Sequence, residues 1–260
     1  MSLLTALCLM LTILPITALA DSPDDGTART TMTLAEFVKA VEDANYTYDG
    51  EGITVQWSPS SACTDNQANH ECLFEDGSEK HPADGNNAQR IQAPNAQYQI
   101  FGGQTDVSIS NVHFVFVPAD YTLCMNSTWG GTATADKTPN AELQMQNTGD
   151  VTFTGCTFDK VIASPFGSTT STVFEKCEFS NVYNAYAIKD IHSADTLVTG
   201  CTFTNCSGGI YLEGSTPKDE ITITNNTFIN MDTYAEAGKK FTRGLIQFSA
   251  AGDYSNAAVT

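Results

Sequence analysis

Three of the eight cysteines in this 260-residue chain recur at one place in a repeated octet: "VTFTGCTF" (151–158), "TVFEKCEF" (172–179) and "TLVTGCTF" (196–203). Thiols at a fixed spacing can hold a soft metal, form a disulfide or pack as small hydrophobes. Asp106, Asp150, Asp195 and Glu220 each stand immediately before such an octet. A carboxylate there either accepts a backbone N–H and sets a turn, or binds a cation. Asp195 and Glu220 fall in neighbouring copies and are the pair that would share a Ca²⁺ with backbone carbonyls. Calcium is the one cofactor the sequence leaves open. A third group, Lys189, Asp190, His192 and Tyr211, mixes charge with an aromatic ring. It would contact a glycan, with Tyr211 as the stacking platform, or else form ordinary solvated surface. Trp129 carries the same pair of readings, a sugar platform or a ring buried against the wall of the fold.

The elements that must position these residues follow from the octet. Aligned on phenylalanine there are five copies, "VSISNVHF" (107–114) and "ITITNNTF" (221–228) being the outer two, and the last four start 21, 24 and 25 residues apart. A period in this range marks stacked repeats. Within each copy apolar and polar residues alternate with period two, the signature of a strand. Ile109, Phe153, Phe174, Val198 and Ile223 take the third position and must face inward; Ser110, Thr154, Glu175, Thr199 and Thr224 take the fourth and face out. After a bend at Asn111, Gly155, Lys176, Gly200 or Asn225 comes a second inward pair, the cysteine column and the phenylalanine column. Val117, Val161, Val182, Cys206 and Met231, three residues past each phenylalanine, are read as inward again. "AYAIKD" (185–190), "GIYLEG" (209–214) and "GLIQFS" (244–249) supply a third strand.

Three short strands per turn, stacked about 4.8 Å apart with like above like, make an all-β, right-handed parallel β-helix. The coil resembles those of the pectate-lyase-like superfamily over roughly residues 88–260. The resemblance is carried by the inward stack Phe114, Phe158, Phe179, Phe203 and Phe228, and by Asn181, Asn205 and Asn230, which match the family's asparagine ladder at the bend between second and third strands. Upstream, "TLAEFVKAVEDA" (33–44) places Leu34, Phe37, Val38 and Val41 on one helical face behind an N-cap threonine, Thr33. That looks like the capping helix that covers the first coil, whose open edge would otherwise recruit another strand. The expected organisation is a leader at 1–20, a cap helix with loops at 21–87 and coils at 88–260.

The cysteine column can be read on these terms. Val112 and Asn226 hold the places taken elsewhere by Cys156, Cys177 and Cys201. A column that accepts valine is a packing position, so a reduced ladder is expected over a disulfide or a metal. Cys63 and Cys72 sit on the polar loop "CTDNQANHEC", where an exported protein is expected to close a local disulfide. A metal bound by Cys63, His70, Cys72 and His81 would match no established zinc spacing. Cys124 lies in a long insertion (118–140) without an evident partner.

"MSLLTALCLMLTILPITALADS" opens the chain with an apolar run too short for a bilayer and an A-x-A site before Asp21. It reads as a secretory leader, lacking the usual basic n-region. The net charge of −18 repels nucleic acid and anionic membrane surfaces. Asn45, Asn126, Asn205 and Asn225 begin N-x-S/T patterns, relevant in a eukaryotic secretory route and otherwise turns rich in Asn and Thr. Lys189 and Glu213 are expected to pair across coils.

The resemblance implies chemistry on the outward face of the first strand: a basic residue with calcium carboxylates for a lyase, or two spaced carboxylates for a hydrolase. That face offers Glu175 among serines and threonines and no base. The leading expectation is therefore a secreted or cell-surface module that binds polysaccharide or host-surface glycan, or serves as an adhesin-like stalk. The alternative is a polysaccharide lyase or glycoside hydrolase whose active coils lie outside this sequence. A weaker third reading is ice binding by the outward Ser/Thr grid, which Leu197 and Glu175 interrupt. Val259-Thr260 reads as the opening of a further "VTFT" strand.

Overall fold

The computed structural model describes residues 31–57, 70–72, 89–92, 95–101, 103, 106–117, 140–146, 149–166, 170–182, 185–191, 193–214, 220–231, 244–249 and 254–260. The chain enters through β1 (Thr31–Met32), helix α1 (Leu34–Asp43) and β2 (Thr47–Trp57), followed by β3 (His70–Cys72), β4 (Gln89–Gln92), β5 (Asn95–Ile100), β6 (Asp106–Phe116) and β7 (Asn140–Gln146). Full three-strand coils come next: β8, β9 and β10 (Asp150–Thr154, Thr157–Asp159, Val161–Phe166), then β11, β12 and β13 (Ser171–Glu175, Glu178–Ser180, Tyr186–Ile191). The third is β14, β15 and β16 (Asp195–Thr199, Thr202–Thr204, Gly208–Glu213). β17 (Glu220–Thr224), β18 (Thr227–Ile229), β19 (Ile246–Phe248) and β20 (Ala257–Val259) follow. Among the described residues these strands form a twelve-stranded and an eight-stranded sheet, with first and second strands in one and third strands in the other. Among the described residues all coil-to-coil pairings are parallel, and β4 runs antiparallel to both β3 and β5. The architecture is an all-β parallel β-helix with one N-terminal helix.

Register follows the octets. Val107, Val151, Thr172, Thr196 and Ile221 lie in one line, as do Phe114, Phe158, Phe179, Phe203 and Phe228. The phenylalanine rings stack face to face with centroids 4.8–5.0 Å apart. Cys156, Cys177, Cys201 and Cys206 are free, buried thiols. Each donates to the carbonyl of the residue two before it and to a carbonyl of the preceding coil, as Cys177 does to Glu175 and Phe153, both at 3.5 Å. The Cys177 thiol is held neutral by hydrogen bonding with the Cys156 and Cys201 thiols on either side, and by burial. Burial raises the Cys206 thiol from 9.0 to about 11.

Two columns of positive φ make the bends: Asn111, Gly155, Lys176, Gly200 and Asn225, then Lys160, Asn181, Asn205 and Asn230. Coil-to-coil hydrogen bonds continue through them, for example Lys176 N to Thr199 O at 2.9 Å and Asn181 N to Thr204 O at 3.1 Å. The asparagine column adds side-chain bonds, Asn205 Nδ2 to Asn181 Oδ1 at 3.3 Å and Asn181 Nδ2 to Asp159 Oδ1 at 2.6 Å.

Helix α1 covers one end. Thr33 and Glu36 form a reciprocal capping box, and Leu34, Phe37, Val38 and Val41 are buried. Phe37 meets Phe114 edge-on at 5.2 Å and Tyr48 at 5.7 Å, so the cap plugs directly onto the aromatic stack.

The structure corrects three details. β2 pairs with β6 along most of its length, so a coil strand lies upstream of residue 88. Val117 is only partly buried, because β6 runs on without a break and seats Phe116 inward instead. Val259 lies level with Ile223, the third position of the octet and not the first.

Candidate functional site

The outward face of the second sheet gathers the most varied side chains. Its strands put Lys189, Tyr211 and Gln247 in one line across three coils. Glu213 lies level with Ile191 instead, so the expected Lys189–Glu213 pair does not form. A two-residue offset between "AYAIKD" and "GIYLEG" separates them, and no octet fixes register in third strands. Lys189 Nζ pairs with Glu142 Oε1 at 3.1 Å.

Glu142 is 2% exposed, and the same Oε1 also accepts from Ser164 Oγ at 3.0 Å and Gln144 Nε2 at 3.1 Å. β7 and β10 position these three residues one coil or more below Lys189, and β7 is buried on both faces from Asn140 to Met145. The carboxylate thus anchors Lys189, whose side chain stays 31% exposed.

Tyr186 stacks on Tyr211 with centroids 5.1 Å apart and planes at 24°. Its ring rests over Gly208, where an added Cβ would lie 2.5 Å from Tyr186 Cδ1. The Tyr186 hydroxyl donates to the Gln247 side-chain oxygen. Burial, then the charge of Glu213, raise the Tyr211 hydroxyl above its ordinary range. The face is the part-exposed Tyr211 ring, backed by the buried Tyr186 and flanked by an ammonium, an amide and a carboxylate.

Asp190 departs from this cluster. It lies opposite Leu212, is fully buried, and accepts from Ser193 Oγ and, at 2.5 Å, from Thr196 Oγ1. Ser193 Oγ in turn meets Thr172 Oγ1 at 2.8 Å. Asp190 is therefore part of the interior corner before the first strand and not a surface contact. His192, Trp129 and Cys63 lie outside the described residues, and Cys72 ends β3.

On the first sheet, Asp49, Ser110, Thr154 and Glu175 share one outward line. Asp49 accepts from Asn111 Nδ2 and Glu51 N, both at 3.0 Å, and these bonds hold its carboxyl below the usual range. Three inter-strand steps put Asp49 and Glu175 about 14 Å apart, beyond the roughly 9.5 Å limit for a glycosidase pair. Glu175 is paired with neighbouring Lys176 at 2.9 Å.

Asp106, Asp150, Ser171, Asp195 and Glu220 form another line at the turn before the first strand. Asp195 Oδ1 accepts Glu220 N at 2.9 Å, Asp106 Oδ1 accepts Asp150 N at 3.2 Å, and Asp150 Oδ1 accepts Ser171 Oγ at 2.9 Å. Asp195, Asp106 and Asp150 thus each tie their turn to the next coil. No group of three metal-ligating side chains occurs among the described residues.

Sequence reasoning missed Glu142, Tyr186 and Gln247. Glu142 belongs to "NAELQMQ", which lacks the octet spacing, whereas Tyr186 and Gln247 sit inside recognised third strands and were legible once register was known.

No helix among the described residues is long and apolar enough to cross a membrane. Comparison with curated proteins and with solved structures gives no match. Residues 100–239 match the family model described as the right-handed beta helix region, more than half of the chain. That span takes in the stacked phenylalanines, the asparagine ladder and the Tyr186–Tyr211 face, and with parallel coils in register on either side of it the chain belongs to the right-handed β-helix family.

Proposed function

We propose that the protein is an exported β-helix module, secreted or displayed at the cell surface, that binds polysaccharide through the outward face of its second sheet. The carrying observation is Tyr211, in line with Lys189 and Gln247 and stacked on the buried Tyr186 ring. Sugar rings present C–H faces that pack on aromatic rings, and hydroxyls that take hydrogen bonds from ammonium and amide groups. Lys189 meets the ligand already balanced by Glu142, and the chain carries a net charge of −18. Both features favour an uncharged glycan over an acidic one. The apolar leader supports export, and a β-helix is suited to the role because its stacked coils hold such groups on a rigid wall.

The test is a glycan array with the intact protein, repeated with Tyr211→Ala. Binding to neutral polysaccharide that falls tenfold or more in the variant supports the reading. Binding to no glycan overturns it. Release of unsaturated products or new reducing ends from a bound polymer would replace it with a lyase or hydrolase.

A further inference from the structure

The N-x-S/T patterns are not equivalent once folded. Asn45, in "NYT", follows α1 at φ 52, is exposed, and makes no side-chain hydrogen bond among the described residues. Asn225, in "NNT", occupies the bend between β17 and β18 at φ 57 and is exposed in the same way; its backbone N–H donates to Thr260 O at 3.3 Å, and its side chain makes no hydrogen bond among the described residues. The hydroxyl residues that complete these patterns, Thr47 and Thr227, are exposed too. Asn205, in "NCS", shares the left-handed bend at φ 55 but differs in its contacts and surroundings. Its Nδ2 donates to Asn181 Oδ1 at 3.3 Å, Cys206 is fully buried, and Ser207 is 9% exposed.

We infer that Asn45 and Asn225 are N-glycan attachment sites, and that Asn205 is not modified in the folded protein. The co-reactant is a lipid-pyrophosphate-linked oligosaccharide in a secretory compartment. Asn Nδ2 forms a bond to C1 of the sugar as the C1–O bond breaks. The pyrophosphate leaves on its lipid, and the amide proton passes to a base of the transferase. A bulky hydrophilic chain is compatible with an exposed bend and incompatible with a side chain committed to the ladder. The inference depends on export through a glycosylating route and is independent of glycan binding at Tyr211.

The test expresses the full chain behind a secretory leader in a eukaryotic host and collects the folded protein from the medium, which supplies export whatever the native leader does. Peptide N-glycosidase in heavy-oxygen water converts each occupied asparagine to labelled aspartate, read peptide by peptide. Label at Asn45 and Asn225, absent at Asn205 and abolished site by site in Thr47→Ala and Thr227→Ala, is the expected result. Label missing from either Asn45 or Asn225, or present at Asn205 in folded protein, overturns the assignment.

Discussion

Lys189 Nζ lies 3.1 Å from Glu142 Oε1, an ion pair whose carboxylate is 2% exposed while its ammonium side chain reaches the surface. Such a pair is asymmetric. Removing Lys189 strands a buried charge, whereas removing Glu142 frees an ammonium that water can reach.

Lys189→Met should therefore destabilise the fold more than Glu142→Gln. Breaking a buried pair costs about 3–5 kcal/mol; with Ser164 and Gln144 still donating, about 2–3 kcal/mol is expected here. The double variant should regain a good part of that loss, because no unpaired charge remains. Denaturant midpoints of the four proteins check this. Equal losses for the two single variants would show that the pair is solvated.

The phenylalanine stack yields a positional prediction. Phe179 has rings 4.8 and 5.0 Å away on its two sides and is fully buried, whereas Phe228 lies beyond Phe203 and is partly exposed. Phe179→Ala opens a cavity inside a closed column and should cost about 3–5 kcal/mol. Phe228→Ala should cost less than half of that. Chemical denaturation of the two variants measures the gradient, and similar values would contradict it.

The asparagine ladder combines two demands in one residue. Asn181 adopts φ 58 and passes a hydrogen bond to Asp159 while accepting one from Asn205. Asn181→Gly keeps the backbone conformation and loses the amide, for about 1–2 kcal/mol. Asn181→Ala loses the amide and must also hold a left-handed backbone, adding about 1 kcal/mol. A stability order of Asn, Gly, Ala is expected from thermal unfolding. Alanine as stable as glycine would mean that the bend carries no strain.

Legibility in the sequence followed how strongly each position is tied to burial. First and second strands turn one face to a closed aromatic core, and a one-residue slip would bury Thr or Glu, so the octets fixed their register. Third strands such as β7 and β13 are buried on both sides over part of their length, which erases alternation. That is why the sequence pattern sets Lys189 two residues from its true level and does not single out Glu142. Asp190 was misplaced for a related reason: an interior carboxylate satisfied by Ser193 and Thr196 looks in sequence like one more surface charge. β2 was missed because Gly50, Glu51 and Gly52 interrupt its alternation where the register shifts between Asp49 and Ile53.

Alkaline pH should expose the thiol column thermodynamically. Cys206 titrates at about 11 in the fold against 9.0 when unperturbed, and burial is the cause. Above pH 9 the unfolded chain loses this proton while the folded chain keeps it. The unfolded state then binds fewer protons, and stability falls as pH rises until the folded thiol ionises near 11. One such group contributes a decline of at most about 1.4 kcal/mol per pH unit, or about 2–3 kcal/mol across the window. Other alkaline titrations act on wild type and variant alike, so the informative quantity is a difference in slope. Cys206→Ala loses packing at every pH, yet its stability should decline more shallowly between pH 9 and 11 than that of the parent. Parallel slopes in urea titrations across that window would show that Cys206 ionises as freely in the fold as in the open chain.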